Sequence, residues 1–274
     1  MKHVFSLVVL ASLVVGCSDS KPTEKKAPVA KTSVPAPEQP VTIAPIKLPE
    51  EPAELVATIG RQVKVARSLH AQVVIAGGDS GKQEATADVR TDTPTPTGRI
   101  TMTDPEGTTH AVLKDGFVYA RDEGQEIEVG KPWMRISHQE IKNADLDEGG
   151  KFLSTILSSV ERYMGEISTD TGLALVKAGK ATAKPVKEQF SGVQVTRYDG
   201  STETSAMREE EYQKMSSSGI KALAWQLWVD ERGLPRRYSV TVGSTKASTT
   251  ATYSNWGIPV TVQAPPASQV ALLK

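Results

Sequence analysis

A chain of 274 residues is long enough for one large domain or two small ones. Its 32 basic and 32 acidic residues cancel, which gives no electrostatic case for nucleic acid, where a clustered basic surface is expected. A single cysteine excludes an intrachain disulfide and a multi-cysteine metal site.

The first segment in chain order, MKHVFSLVVLASLVVG at 1–16, has Lys2 ahead of an apolar run from Val4 to Val15, broken only by Ser6 and Ser12. The run is shorter than the roughly 20 residues a membrane span needs. It has the length of a signal-peptide apolar region. It ends in Val14-Val15-Gly16, and Cys17 follows at once. These four residues resemble the lipobox of bacterial lipoproteins: an aliphatic residue, a small or aliphatic one, Gly or Ala, then Cys. Val14 stands where leucine is commoner. In that family the thiol takes up diacylglycerol, cleavage makes the cysteine the new N-terminus, and further acylation (palmitate, for example) completes the anchor. A thiolate is the nucleophile suited to such a step. The resemblance makes Cys17 the lipidation site and residues 1–16 the signal peptide. Ser18 follows Cys17 and Asp19 comes one place later, so the inner-membrane retention signal of Asp directly after Cys is absent.

Residues 18–49 are rich in Pro, Ala, Thr and Lys and have no helical or strand period. Such a composition favours extended, disordered chain. The lipidated Cys17 and this stretch, 17–49, are expected to form a tether, with one folded domain at 50–274.

The folded part opens with a helix. Pro52 suits a first turn, and Leu55, Ile59, Val63, Ala66 and Leu69 recur on one apolar face. Strand-like segments follow: AQVVIAG, KQEATADVRT, TGRITMTD, THAVLKDG and FVYARD, the last two meeting at the hairpin signal Asp115-Gly116. EIEVGKPWMRIS carries Trp133. A wide apolar stripe predicts a helix over KFLSTILSSVERYMGEI, and a shorter helix is predicted over TDTGLALVKAG. Strands return in ATAKPVKEQ, SGVQVTRYDG, KALAWQLWVDE, RRYSVTVG and KASTTATYSNW, with AMREEEYQKM between them as a charged surface helix. Trp225 and Trp228 have odd separation and are expected on opposite faces. The order of helix, strands, helices, strands predicts an α+β fold with a large antiparallel sheet and helices on one face.

DGFVYAR, GKPWMRIS, AWQLWVDERGLPRRYSVTV and YSNWGIPVTVQAPP, in this order after a lipobox and linker, resemble the LppX/LprAFG family of actinobacterial lipoproteins, which is related in shape to LolA and LolB. The resemblance covers most of residues 50–270. It implies a strongly curved antiparallel sheet, a half-barrel, with helices packed on its concave face over an apolar cavity. It implies binding or transfer of acylated lipid or glycolipid, and an envelope transporter as a possible partner.

GGDSGK at 77–82 matches part of a chymotrypsin-type GDSGG, but Lys82 replaces the last Gly and the required His and Asp contexts are missing. As a P-loop, Ala76 would stand for the first Gly and Gln83 for the Ser/Thr. A tight turn is the simpler reading. His70, His110 and His138 are widely spaced and form no HExxH, so neither a metal nor a cofactor is expected, and the chain is not read as an enzyme.

The expectation is a lipoprotein anchored on the extracytoplasmic face of the cell membrane that carries or presents an acylated lipid. The candidate cavity lining is Leu153, Ile156, Leu157, Val160, Met164, Leu173, Leu175, Trp225 and Leu227. Periodicity alone favours an ordinary core over a cavity for any one of these residues. The alternative function is a surface lipoprotein acting by protein contact, with no bound ligand.

Overall fold

The computed structural model describes residues 39–77, 81–137, 148–207, 219–243 and 247–272, and of residues 148–153 the backbone only. The leader, Cys17, the tether through Glu38 and most of AMREEEYQKM lie outside these residues. So do Asp79 and Ser80 of GGDSGK.

Helix α1 (Pro52–Ala66) has proline in its first turn and buries Leu55, Ile59, Val63 and Ala66. It stops where Arg67 turns left-handed at φ 65°, its N–H bonded to the Val63 carbonyl. Leu69, which the sequence period attaches to the helix, is instead the first inward residue of a strand. The strands are β1 (Ser68–Ala76), β2 (Gln83–Arg90), β3 (Thr97–Asp104), β4 (Gly107–Lys114), β5 (Phe117–Asp122) and β6 (Trp133–Ile136). Two helices follow, α2 (Glu148–Ile167) and α3 (Asp170–Ala178). The chain then forms β7 (Lys180–Ala181), β8 (Val186–Phe190), β9 (Val193–Glu203), β10 (Ala222–Asp230), β11 (Pro235–Val242), β12 (Ala247–Ser254) and β13 (Val270–Ala271).

All of these strands join one sheet in the order β13-β6-β5-β4-β3-β2-β1-β12-β11-β10-β9-β7, with β8 also on β9. Every pairing is antiparallel except the short parallel contact of β13 with β6. The β1–β12 pair lies in the middle of the row and joins the N-terminal strands to the C-terminal ones. Register makes the inner face continuous. Ala71 stands between Ala87 and Tyr253. Trp225 stands between Gly200 and Val240.

Twelve strands in a flat row would span about 50 Å at the usual strand spacing of about 4.8 Å. Yet inward side chains from β1 to β5 and from β9 to β12 share one buried cluster with residues of α1, α2 and α3. The sheet therefore curls round the helices. Its edges β13 and β7 do not pair, so it stays an unclosed half-barrel. This is the α+β architecture expected from the sequence, helices on the concave face, with one parallel pair added.

One end is closed. The β10–β11 turn is held by Asp230, which is 1% exposed. Its carboxylate takes bonds from Arg232 and Arg236 and from the Leu234 N–H. Residues 39–49, read as tether, lie against this end. Ile43 is buried, the Val41 N–H bonds the Gly257 carbonyl at 3.0 Å, and the Ile46 N–H bonds the Glu231 carbonyl at 2.8 Å. Within 39–49 the sparse aliphatic residues find a place on the domain, with Ile43 buried. Tyr198 donates to the Pro49 carbonyl at 2.9 Å.

Trp225 and Trp228 do point to opposite faces, and both are buried. Trp228 is covered on the outer face. Phe190 of β8 lies 6.4 Å away, the Arg237 guanidinium stands 4.9 Å over its ring, and its Nε1 donates to Glu188 at 2.6 Å.

Candidate functional site

The other end is open. Ile75, at the end of β1, pairs with Gln83 on one side and Thr249 on the other. Here α2 separates two clefts. One, of about 400 Å³, lies between α2 and the ends of β2–β5. Gln83, Asp104, Asp122, Glu123 and Arg162 make it polar, and Thr109 Oγ1 donates to Asp122 at 2.6 Å.

The other, of about 650 Å³, lies between α2–α3 and the ends of β10–β12. Ala174, Leu175 and Ala178 of α3 face Leu223, Val240 and Val242 across it, with Met207 at one side. Small residues on α3 keep the helix wall low, so Val240 and Val242 of β11 stay partly exposed. Glu166, Asp170, Thr171 and Thr249 edge this space, and Tyr238 forms part of its wall. This is the combination typical of small-molecule sites: a concave, mainly apolar lining with few polar groups.

Tyr238 is 4% exposed, and its ring packs on Gly172 of α3, where a Cβ would come within 2.8 Å of it. Its hydroxyl is buried and has no hydrogen-bond partner among the described residues. Burial, and after it the neighbouring Glu166, raise its phenol pKa far above the ordinary value. Burial also raises the Glu166 carboxyl, against a smaller opposing pull from Arg162. Tyr253, one strand over, is satisfied: its hydroxyl donates to the Glu166 backbone carbonyl at 3.0 Å.

The wall itself is pinned. Trp225 Nε1 donates to Thr202 Oγ1 at 3.0 Å, and Thr202 donates to the Leu175 carbonyl at 2.7 Å. The indole runs over Gly200, where a Cβ would sit 1.9 Å from the ring.

Of the residues singled out from the sequence, Leu175 lines the larger cleft and Ile156 the smaller. Leu157, Val160, Leu173, Trp225 and Leu227 lie in the main core, and Met164 packs against it, partly buried. The side chain of Leu153 lies outside the described residues. Sequence reasoning missed Glu166, Leu223, Tyr238, Val240 and Val242 as lining. The shared face of the last three was legible, and so was that of Leu223 with Trp225. Which side of that face stays uncovered was not.

His70 faces outward, its Nδ1 2.8 Å from Asp88 Oδ1, and His110 Nδ1 lies 3.2 Å from Thr101 Oγ1. Among the described residues, no group of three His, Cys, Asp or Glu is placed to hold a metal ion, and no helix is long and apolar enough to cross a membrane.

No protein-family model and no curated protein matches the chain. Solved structures do. LprF from Mycobacterium bovis is similar at 15% identity and a TM-score of 0.49, covering 78% of this chain and 97% of that one. The lipoprotein LppX from Mycobacterium tuberculosis is similar at 19% identity and a TM-score of 0.45, covering 77% of this chain and 98% of that one. A LolA superfamily protein from Nitrosomonas europaea follows at 8% identity and a TM-score of 0.24, covering 77% and 94%. The first two are mycobacterial lipoproteins of the kind the sequence resembles.

Proposed function

We propose that the chain is a lipoprotein, anchored through Cys17 on the extracytoplasmic face of the cell membrane, that carries or presents an acylated lipid or glycolipid. The acyl chain lies in the cleft between α3 and β10–β12, and an envelope transporter supplies or receives the cargo. The observation that supports this most is the 650 Å³ apolar cleft at the open end of a half-barrel whose other end is closed. Its volume falls within the roughly 300–1,000 Å³ of ordinary ligand sites. Each methylene buried there contributes about 0.8 kcal/mol. Ten of them contribute about 8 kcal/mol before the cost of immobilising the lipid is subtracted. Val41 joins the barrel at its closed end, its N–H bonded to the Gly257 carbonyl.

Native mass spectrometry of residues 38–274, secreted without the anchor, tests the reading. The expected result is co-purified acylated lipid at near-unit stoichiometry. A clean apo mass, unchanged after incubation with host lipid extract, sinks it and favours action by protein contact. That second reading has its own support on the outer face of β5–β6. There the Arg121 guanidinium stacks over Trp133 at 5.1 Å and that of Arg135 over Phe117 at 4.6 Å. The side chains of Phe117, Tyr119 and Trp133 are all partly exposed, and aromatic and arginine side chains together are the usual anchors of protein interfaces.

A further inference from the structure

We propose that Thr95 is a glycosylation site, a threonine whose hydroxyl takes up a sugar in O-glycosidic linkage. This rests on the extracytoplasmic placement put forward above and not on the cargo.

TDTPTPT at 91–97 holds four threonines and two prolines, and Thr/Pro-rich composition is that of O-glycosylated segments. Among the serines and threonines of the chain, Thr95 alone has proline on both sides, Pro94 and Pro96. Proline has no N–H and fixes its own φ, so the two rings keep Thr95 out of any sheet ladder. A transferase needs such an acceptor, because a residue bonded into a ladder does not enter an enzyme cleft, whereas a loop at the surface does.

The fold then chooses among the four threonines. Arg90 of β2 pairs with Thr97 of β3, and the tract loops out between them at the closed end. The base of the loop is fixed. Thr91 donates its N–H to the Arg67 carbonyl at 2.7 Å and its hydroxyl to the Val63 carbonyl at 3.3 Å. Arg90 holds the Asp92 carboxylate through two bonds, of 3.0 and 2.9 Å. The Thr93 hydroxyl is buried. Thr97 is buried too, and its hydroxyl donates to the Thr95 carbonyl at 3.3 Å. The tip remains: Pro94, Thr95 and Pro96 are exposed in succession. A rigid base presenting an exposed Pro-Thr-Pro tip leaves one hydroxyl of the four within reach of an enzyme.

The donor is a sugar carried on a phosphate. Thr95 Oγ1 attacks its anomeric carbon and a C–O glycosidic bond forms. The bond from that carbon to the phosphate oxygen breaks, its electron pair leaves on the phosphate, and a base of the transferase takes the hydroxyl proton. Nothing is oxidised or reduced.

Arg90 and Arg99 bound the loop, so trypsin releases residues 91–99 as one peptide. The full chain is purified from its own host, and this peptide is sequenced by mass spectrometry with electron-transfer fragmentation, which leaves glycosidic bonds intact. The expected result is a mass increment of one or more hexoses placed on Thr95. Thr95→Ala should abolish it and Thr95→Ser should keep it, both with the Tm of wild type, since the side chain lies at the surface. A bare peptide in a chain whose leader is cut and whose Cys17 is acylated overturns the proposal and leaves export standing. A sugar on Thr91, Thr93 or Thr97 overturns the assignment to Thr95. A bare peptide in a chain that still carries residues 1–16 removes the export reading, and this inference falls with it.

Discussion

Tyr238 shows what one unpaired buried hydroxyl costs a fold. A buried hydroxyl without a partner costs about 1–3 kcal/mol relative to one that is paired or absent. Tyr238→Phe removes that group and leaves the ring contact with Gly172 in place. It is expected to raise unfolding free energy by up to about 1 kcal/mol with an unchanged urea m-value. Tyr253→Phe is the control. It deletes the bond to the Glu166 carbonyl and should lower stability by about 1 kcal/mol, leaving a buried carbonyl unsatisfied. Glu166 itself makes stability depend on pH. Its ordinary value is 4.5, and burial raises it in the fold. Above 4.5 the unfolded chain releases this proton first, while the folded chain still holds it. The stabilisation is complete below the unfolded value and is lost as pH rises through the folded one. Glu166→Gln should therefore flatten the fall in stability above pH 4.5, seen by urea titration at several pH values. An unchanged slope would place the carboxyl in water.

At the scale of elements, α3 is the wall of the cleft, and Thr202 is what joins it to the sheet. Its hydroxyl accepts from Trp225 and donates to the Leu175 carbonyl, all within the buried interior. Thr202→Val keeps the shape and strands both partners. The expected loss is about 2–4 kcal/mol, with faster amide hydrogen exchange concentrated in α3. Uniform acceleration across the sheet would argue against a local tether. Much of this layer was legible in sequence. The stripe of α2 and the alternation of Leu223, Trp225, Leu227 and Val229 follow directly from the helical and strand periods. What stayed hidden depends on partners distant in the chain. Strand β13 has only two residues and pairs with β6 across more than a hundred positions. Trp228 reads as half-exposed until β8 folds Phe190 and Glu188 over it. Leu173 and Leu175 of α3 both belong to the core cluster, yet Leu175 also lines the cleft. The difference arises because Ala174 and Ala178, beside Leu175, are too short to reach the strands. Periodicity records which face turns inward but not how much of it the opposite layer covers.

At the scale of the whole molecule, the half-barrel works only if one end is sealed while the other stays open. The seal is made partly by chain that composition assigns to a tether. Residues 39–49 contribute Ile43 to the core and two backbone bonds, Val41 to Gly257 and Ile46 to Glu231, and Pro49 receives the Tyr198 hydroxyl. Burying an aliphatic side chain contributes about 1.5–3 kcal/mol and each hydrogen bond about 1 kcal/mol. A chain starting at Glu50 should thus be less stable than one starting at Glu38 by about 3–5 kcal/mol, allowing for some rearrangement. In a domain of this size, that is a fall in Tm of roughly 10 °C. Differential scanning calorimetry of the two chains gives the answer. Equal Tm values would return residues 39–49 to the tether. A large drop would make them the floor of the barrel, opposite its open mouth.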